Sequence, residues 1–383
     1  MVVKEKVGID QFKISGFTIR RFDKEKLNKE EVSVRYKKDM DGNVVIQYLK
    51  LPPNNLYRKF EFKRKKEDGI DKSIGQIEVV INADLLEGNL NNWSVDEVKE
   101  HVDVIQRFLK EEYGLYLNWD EAGFNYMEIN LNLVMPVALC ESADIWELLM
   151  SNLRNWKKHA VMEYSVIKNK KSNLYDKKEL ESIRLSTKQR SVTVYDKTRQ
   201  MKTKKKNPVV LNQKVVRIEL KLKNGKKVKE KLGSNKIYKI KQEDVIGAFY
   251  KEVGDSMLDF LKTKLPEEEK KRAIKIYNQC KNEKRPWTAI AKLVNKMSWD
   301  IKRPYLYDTK YFKECFPQND KYKNDNYLAL TNQINEMGCV NPLYPQILKN
   351  IEEKLENAKS GRESEVEIDV TTQSEKNSEL KYR

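Results

Sequence analysis

Over the first 225 residues the dominant pattern is alternation of apolar and polar positions. Successive side chains of a strand point to opposite faces, so this period marks half-exposed strands. It predicts strands over 44–50, 56–64, 76–82, 125–134, 161–168, 191–196 and 215–223. Two helices interrupt them. One covers 95–113 and opens on Ser94-Val95-Asp96-Glu97, where the serine can accept from the helix and the glutamate can reach back to the serine amide. The other covers roughly 141–158. Strands, helix, strand, helix and strands in that order predict an α+β fold, a mostly antiparallel sheet with helices on one face.

Beyond about residue 242 the period becomes helical, over 242–263, 266–282, 286–298, 323–337 and 343–358. The reading is therefore an α+β domain over 1–241 and a smaller, mainly α-helical domain over 242–359. The remainder, 360–383, is polar and acid-leaning and reads as a disordered tail.

Separating the faces of four strands isolates candidate chemistry. Glu128, Asn130 and Asn132 oppose the apolar side of 127–133, and Arg217, Glu219 and Lys221 oppose that of 216–222. Tyr195 shares a polar face with Ser191 and Thr193, as Glu78 does with Gln76. If these strands are neighbours, one open surface carries a tyrosine, three carboxylates, amides and cations. Such oxygens suit Mg²⁺ or Mn²⁺, which can polarise a phosphoryl oxygen. A tyrosine hydroxyl ionises near pH ~10 and needs a metal or cation beside it to act as a nucleophile; Lys197 and Arg217 are the candidates. An ordinary amphipathic sheet with a solvated face gives the same alternation.

Charge selects the partner. The 383-residue chain has 75 Lys and Arg against 58 Asp and Glu, a net charge of +17. Residues 157–241 alone hold 27 Lys and Arg against 7 Asp and Glu, an excess of 20. That concentration fits a polyanion. Lys188, Arg190, Arg199, Lys202, Lys204, Lys205, Lys206, Lys221 and Lys223 are candidate contacts to DNA phosphates, and 202–207 reads as a mobile basic hairpin loop. The runs KRPWTAIAKLVNKMSW and YLYDTKYFKECF also combine aromatics with cations, as a DNA-docking surface would.

Other chemistries are excluded by what the chain lacks. Its two histidines, His101 and His159, adjoin no nucleophile turn, and no glycine-rich nucleotide loop occurs. Cys140, Cys280, Cys315 and Cys339 are too scattered for a zinc site. Neither a signal-like nor a membrane-length apolar run is present, so the expectation is a cytoplasmic protein with no membrane partner.

The succession QIEVVIN, helix, FNYMEINLNL, SVTVYDKTRQ and VVRIELKLK resembles the rolling-circle replication initiators of the filamentous-phage gene-two type and their plasmid relatives, over roughly 70–350. Its most distinctive part is a Y-[DEL]-K strand followed some 20 residues later by an R-[FIY]-E-[AIL]-[RK] strand. The resemblance implies a nickase of a plasmid, phage or mobile element, with Tyr195 at the nucleophile position and Glu128 at the metal-site acidic position. Arg217 and Glu219 occupy conserved-motif positions, and Glu78 fits the upstream strand. It further implies a 5′-phosphotyrosyl intermediate and a free 3′-OH for the host replication machinery. The DNA would be a double-stranded origin with a locally single-stranded hairpin, and the protein could work as a homodimer.

The chain departs from this pattern twice. It has no His-hydrophobe-His motif, and where staphylococcal-type initiators place their nucleophile it has Ile183-Arg184, which leaves Tyr175 as the alternative to Tyr195. A non-catalytic DNA-binding regulator of replication or transcription would share the basic face. It would not need Glu128 and Glu219 there, since carboxylates repel DNA unless a cation intervenes.

Overall fold

The computed structural model describes residues 2–39, 41–67, 70–80, 92–156, 161–167, 177–203, 209–301, 306–315, 322–338, 340–341, 343–362, 365–367 and 370–372. Among these residues ten strands form one sheet: β1 Gly8–Ser15, β2 Ser33–Lys38, β3 Val44–Leu51, β4 Lys59–Glu67, β5 Ile70–Val80, β6 Gly123–Met135, β7 Val161–Ile167, β8 Lys177–Ser186, β9 Arg190–Asp196 and β10 Lys214–Leu222. Their order is β7-β8-β9-β10-β6-β1-β5-β4-β3-β2, and every neighbouring pair is antiparallel. The α+β class with a large antiparallel sheet is therefore as the alternation predicts.

Helices frame the sheet: α1 Val95–Tyr113, α2 Ala143–Ser151, α3 Lys197–Lys202, α4 Gly225–Leu232, α5 over 242–280, α6 Pro286–Ile301, α7 Lys323–Glu336 and α8 Tyr344–Lys359. At the start of α1 the capping box closes, with Glu97 N donating to Ser94 Oγ at 3.3 Å and Ser94 N to Glu97 Oε2 at 2.6 Å. Two predicted helices merge into α5, whose turns at Tyr250–Gly254 and Phe260–Lys264 are π-helical. Among the described residues no helix is long and apolar enough to cross a membrane.

The apolar face of the sheet and its helices share one core. Ile9, Phe12, Met127, Ile129, Leu131, Ile218 and Leu220 are buried there together with Val102, Ile105 and Leu109 of α1. The first half of α5, through Val245, Phe249, Val253 and Met257, belongs to the same core, as do Ile347, Ile351 and Leu355 of α8. A second cluster joins the end of α5 to α6 and α7, through Ala273, Ile276, Ile290, Val294, Leu330 and Ile334. The boundary read at 241/242 thus falls at the start of a helix that helps fill the core of the sheet.

Part of the expected disordered tail is ordered. Glu365–Glu367 pairs antiparallel with Val2–Lys4, and Val370–Thr372 with Val209–Leu211. The run Glu365-Val366-Glu367-Ile368-Asp369-Val370 alternates as a strand does, a signal masked by its acidity. Residues 373–383 lie outside the described residues.

Candidate metal and tyrosine site

The site lies on the polar face at the middle of the sheet, where β9, β10, β6 and β1 run side by side. Register sets the neighbours. Tyr195 stands opposite Arg217 and Thr193 opposite Glu219. Across the next interface Arg217 faces Asn132, Glu219 faces Asn130 and Lys221 faces Glu128. In β1, Ile9 pairs with Ile129 but Gln11 pairs with Glu128, so Asp10 is an extra residue in a bulge. The bulge turns Asp10 toward the polar face while Ile9 and Phe12 keep their places in the core.

Asp10, Glu128 and Glu219 consequently each offer a carboxylate oxygen within 4.8 Å of the others. All three are buried. Gly8 allows the chain at 92–93 to close over this end, for a Cβ there would lie 2.8 Å from Trp93 O. Asn92 Nδ2 then donates to Asn130 Oδ1 at 2.8 Å and to Lys6 O at 2.7 Å.

A buried and a half-buried cation offset this charge. Arg217, fully buried, donates from Nη1 to Asp10 Oδ2 at 2.9 Å and from Nε to Asn132 Oδ1 at 2.7 Å. Lys221 Nζ lies 2.8 Å from Glu128 Oε1 and 2.9 Å from Glu219 Oε1. The Tyr126 hydroxyl donates to Glu128. Burial raises the Asp10 carboxyl pKa against the pull of Arg217, and raises that of Glu128, with Glu219 adding repulsion and Lys221 opposing.

Tyr195 donates its hydroxyl to Glu219 Oε2 at 3.3 Å. Burial holds its pKa well above the ordinary value, with Arg217 pulling the other way. Lys197, the first residue of α3, is fully buried; its Nζ donates to Gln200 Oε1 at 2.8 Å and lies 5.8 Å from the Tyr195 ring centroid. The cap of α3 is Asp196, which accepts from Arg199 N at 2.9 Å.

Asp10, Glu128, Glu219, Lys221 and Tyr195 border a pocket of about 430 Å³ whose far wall carries Glu163, Glu181, Ser182 and Arg184. A second bulge makes that wall: Glu163 pairs with Ser182 but Tyr164 with Leu180, leaving Glu181 as the extra residue. Ser182 donates to Glu163 Oε2 at 2.6 Å, and Arg199 Nε lies 3.4 Å from Glu181 Oε1.

Two sets of expectations change. Glu78, expected at the metal site, is absent from the carboxylate cluster: Lys13 Nζ holds it at 2.8 Å and Gln11 Nε2 donates to it at 3.1 Å. Asp10 supplies the third carboxylate. Among the phosphate candidates, Arg190 is a structural tether. It pairs with buried Glu252, donates from Nη2 to Asn155 O at 2.8 Å and lies 4.5 Å from the Trp156 ring centroid. Lys223 closes the β8–β9 hairpin on Ser186 Oγ and Thr187 O, both at 3.0 Å. Lys221 belongs to the carboxylate cluster. Lys188 and Lys202 are exposed, and Arg199 is half-buried on the pocket wall. Tyr175, Lys204, Lys205 and Lys206 lie outside the described residues.

Asp10, Glu163 and Glu181 escape a strict two-residue period because each adjoins a bulge. For Asp10 the available signal is the apolar spacing Ile9, Phe12, Ile14, three residues and then two. A scan of protein-family models and a search of curated protein sequences find no match to the chain.

Proposed function

We propose that this protein is a site-specific DNA nickase that uses Tyr195 as nucleophile and a divalent cation, Mg²⁺ or Mn²⁺, held by Asp10, Glu128 and Glu219. The observation that carries the reading is a tyrosine hydroxyl hydrogen-bonded to one carboxylate of a buried three-carboxylate cluster in an open pocket. A hard cation fits these donors, and Asp10 Oδ1 is buried without a hydrogen-bond partner. When bound, the cation would polarise a phosphoryl oxygen and favour the phenolate.

The chain's own groups account for the proton and the geometry. Glu219 accepts the phenol proton as the Tyr195 oxygen bonds to phosphorus. The P–O3′ bond breaks, and the departing 3′ oxygen gains a proton from water. The products are a 5′-phosphotyrosyl link and a free 3′-OH from which a host polymerase can extend. Energy of the broken bond stays in the new one, so rejoining needs no nucleotide. Arg217 positions the site by fixing Asp10 and Asn132, while Lys221 neutralises Glu128 and Glu219.

The test is incubation of the protein with supercoiled plasmid carrying the DNA that flanks its gene. Relaxation in Mg²⁺ or Mn²⁺, a denaturation-resistant protein–DNA adduct, and loss of both on chelation or in Tyr195→Phe are expected. That substitution removes one oxygen and keeps the ring, so folding and DNA binding survive. Binding without nicking in either metal would instead mark a non-catalytic regulator, and undiminished nicking in excess chelator would remove the metal from the mechanism.

A further inference from the structure

The polar face does not end at the pocket. From β6 it continues across β1, β5, β4 and β3 to the edge strand β2. Lys13 stands opposite both Tyr126 and Glu78, and Glu78 opposite Lys59. Further out, Tyr48 is opposite Lys63 and Arg35, and Lys50 is opposite Glu61. Phe60, Phe62, Leu49 and Leu51 alternate with these residues and are buried in the core, which assigns the charged and tyrosyl side chains to the same face as the site.

Chemistry along this face is regular. Cations sit over the two rings: Lys13 Nζ is 5.3 Å from the Tyr126 centroid, and Lys63 Nζ and Arg35 Cζ are 5.6 and 5.8 Å from that of Tyr48. Carboxylates are outnumbered. Glu61 is shared by Lys59 at 2.7 Å and Lys63 at 2.5 Å, while Arg35 and Lys50 stand exposed beyond them. From β6 to β3 the face spans about 19 Å at ~4.8 Å per strand.

We propose that this face is a track for single-stranded DNA entering or leaving the Tyr195 pocket. The inference deepens the nickase reading and rests on it for direction. Two features select a single strand. Its phosphates can follow the lysines and Arg35, and its unpaired bases can stack on Tyr48 and Tyr126, whose faces a duplex with its bases already stacked could not use. Continuity with the pocket supplies the third argument, because a strand nicked at Tyr195 must leave across an adjoining surface.

The probe is a labelled oligothymidylate of about 20 nucleotides, longer than the ~4–16 nucleotides that comparable stacking surfaces cover. Because it carries no origin sequence, its binding is independent of cleavage. Tyr48→Ala should weaken it about ten-fold and weaken a blunt duplex less than two-fold, with thermal unfolding near that of the wild type. Tyr48→Phe, which keeps the ring, should bind like the wild type even if the alanine variant proves unstable. Replacing both Arg35 and Lys63 by alanine should make the salt dependence shallower by about 0.7 for each phosphate that is no longer neutralised. Unchanged oligothymidylate binding by Tyr48→Ala, or equal losses for single strand and duplex, would overturn the track. Adduct formation by the wild type on plasmid reports separately on the nickase reading, so a failure of one is not mistaken for a failure of the other.

Discussion

Asp10 reaches the carboxylate cluster because β1 carries one more residue than β6 at that point. A continuous alternation would have sent it to the core face with Phe12 and Ile14 or, with Ile9 kept inside, pushed Phe12 out of the core. The strands that supply Glu128, Glu219, Arg217 and Tyr195 keep their period through these residues, so their common face was legible in the chain. What alternation could not show is the partner: Glu78 and Asp10 are both acidic residues near Lys and Arg, and register decides that Lys13 meets the first and Arg217 the second. Arg190 and Lys223 were misplaced for the same reason, their partners being distant in sequence. These geometries predict different responses to a cation. Mn²⁺ at a hundred times its dissociation constant should stabilise the wild type by about 2.7 kcal/mol. Asp10→Asn should abolish most of that gain and Glu78→Gln should keep it, as measured by unfolding with and without the metal. Equal loss in both variants would place the cation elsewhere.

Elements were legible where the period was long or the cap explicit. Helix α1 begins at its capping box and ends at Gly114, whose φ of 61° favours glycine. Strands β1, β2 and β8 were missed; β1 and β8 each carry an extra residue, Asp10 and Glu181, that interrupts the two-residue repeat, whereas the irregularity between β2 and β3 lies at Gln47 of β3. Among the helices, α5 carries a buried carboxylate that no pattern announces. Glu269 accepts from Tyr307 N at 2.8 Å and from Arg272 Nη1 at 3.2 Å, joining α5 to the segment before α7. Burial pushes its pKa up to about 7, the bonds to Tyr307 and Arg272 opposing. A carboxyl with a raised folded pKa binds its proton more tightly folded than unfolded. Its contribution is therefore whole below the unfolded value of 4.5 and is lost as pH rises toward 7. The loss amounts to roughly 3 kcal/mol, at ~1.4 kcal/mol per pKa unit. Denaturant unfolding at about pH 5 and pH 8 should show this decline in the wild type and a flatter profile in Glu269→Gln; equal slopes would remove Glu269 from the titration.

At the scale of the molecule, the change of period near 242 marks a change of secondary structure inside one core. Residues 242–265 and α8 place Val245, Phe249, Val253, Met257, Phe260, Leu261, Ile347, Ile351 and Leu355 in the cluster that includes the sheet, all at most 5% exposed. At ~1.5–3 kcal/mol for each such side chain, their burial contributes on the order of 15–25 kcal/mol. That exceeds the ~5–15 kcal/mol by which a typical domain is stable. The ends of the chain reinforce the closure, since Lys354 pairs with Glu5 at 2.5 Å and Glu365–Glu367 pairs with Val2–Lys4. A fragment of residues 1–241 would therefore leave open to water the apolar surface that α5 and α8 cover, that of β6 included. We expect it to aggregate, or to bind a hydrophobic dye and unfold without cooperativity, whereas a fragment ending at 372 should unfold as cooperatively as the full chain. A soluble 1–241 with dispersed amide resonances and a sharp unfolding transition would show that the sheet can close its core without α5 and α8, and would support a domain boundary at 241.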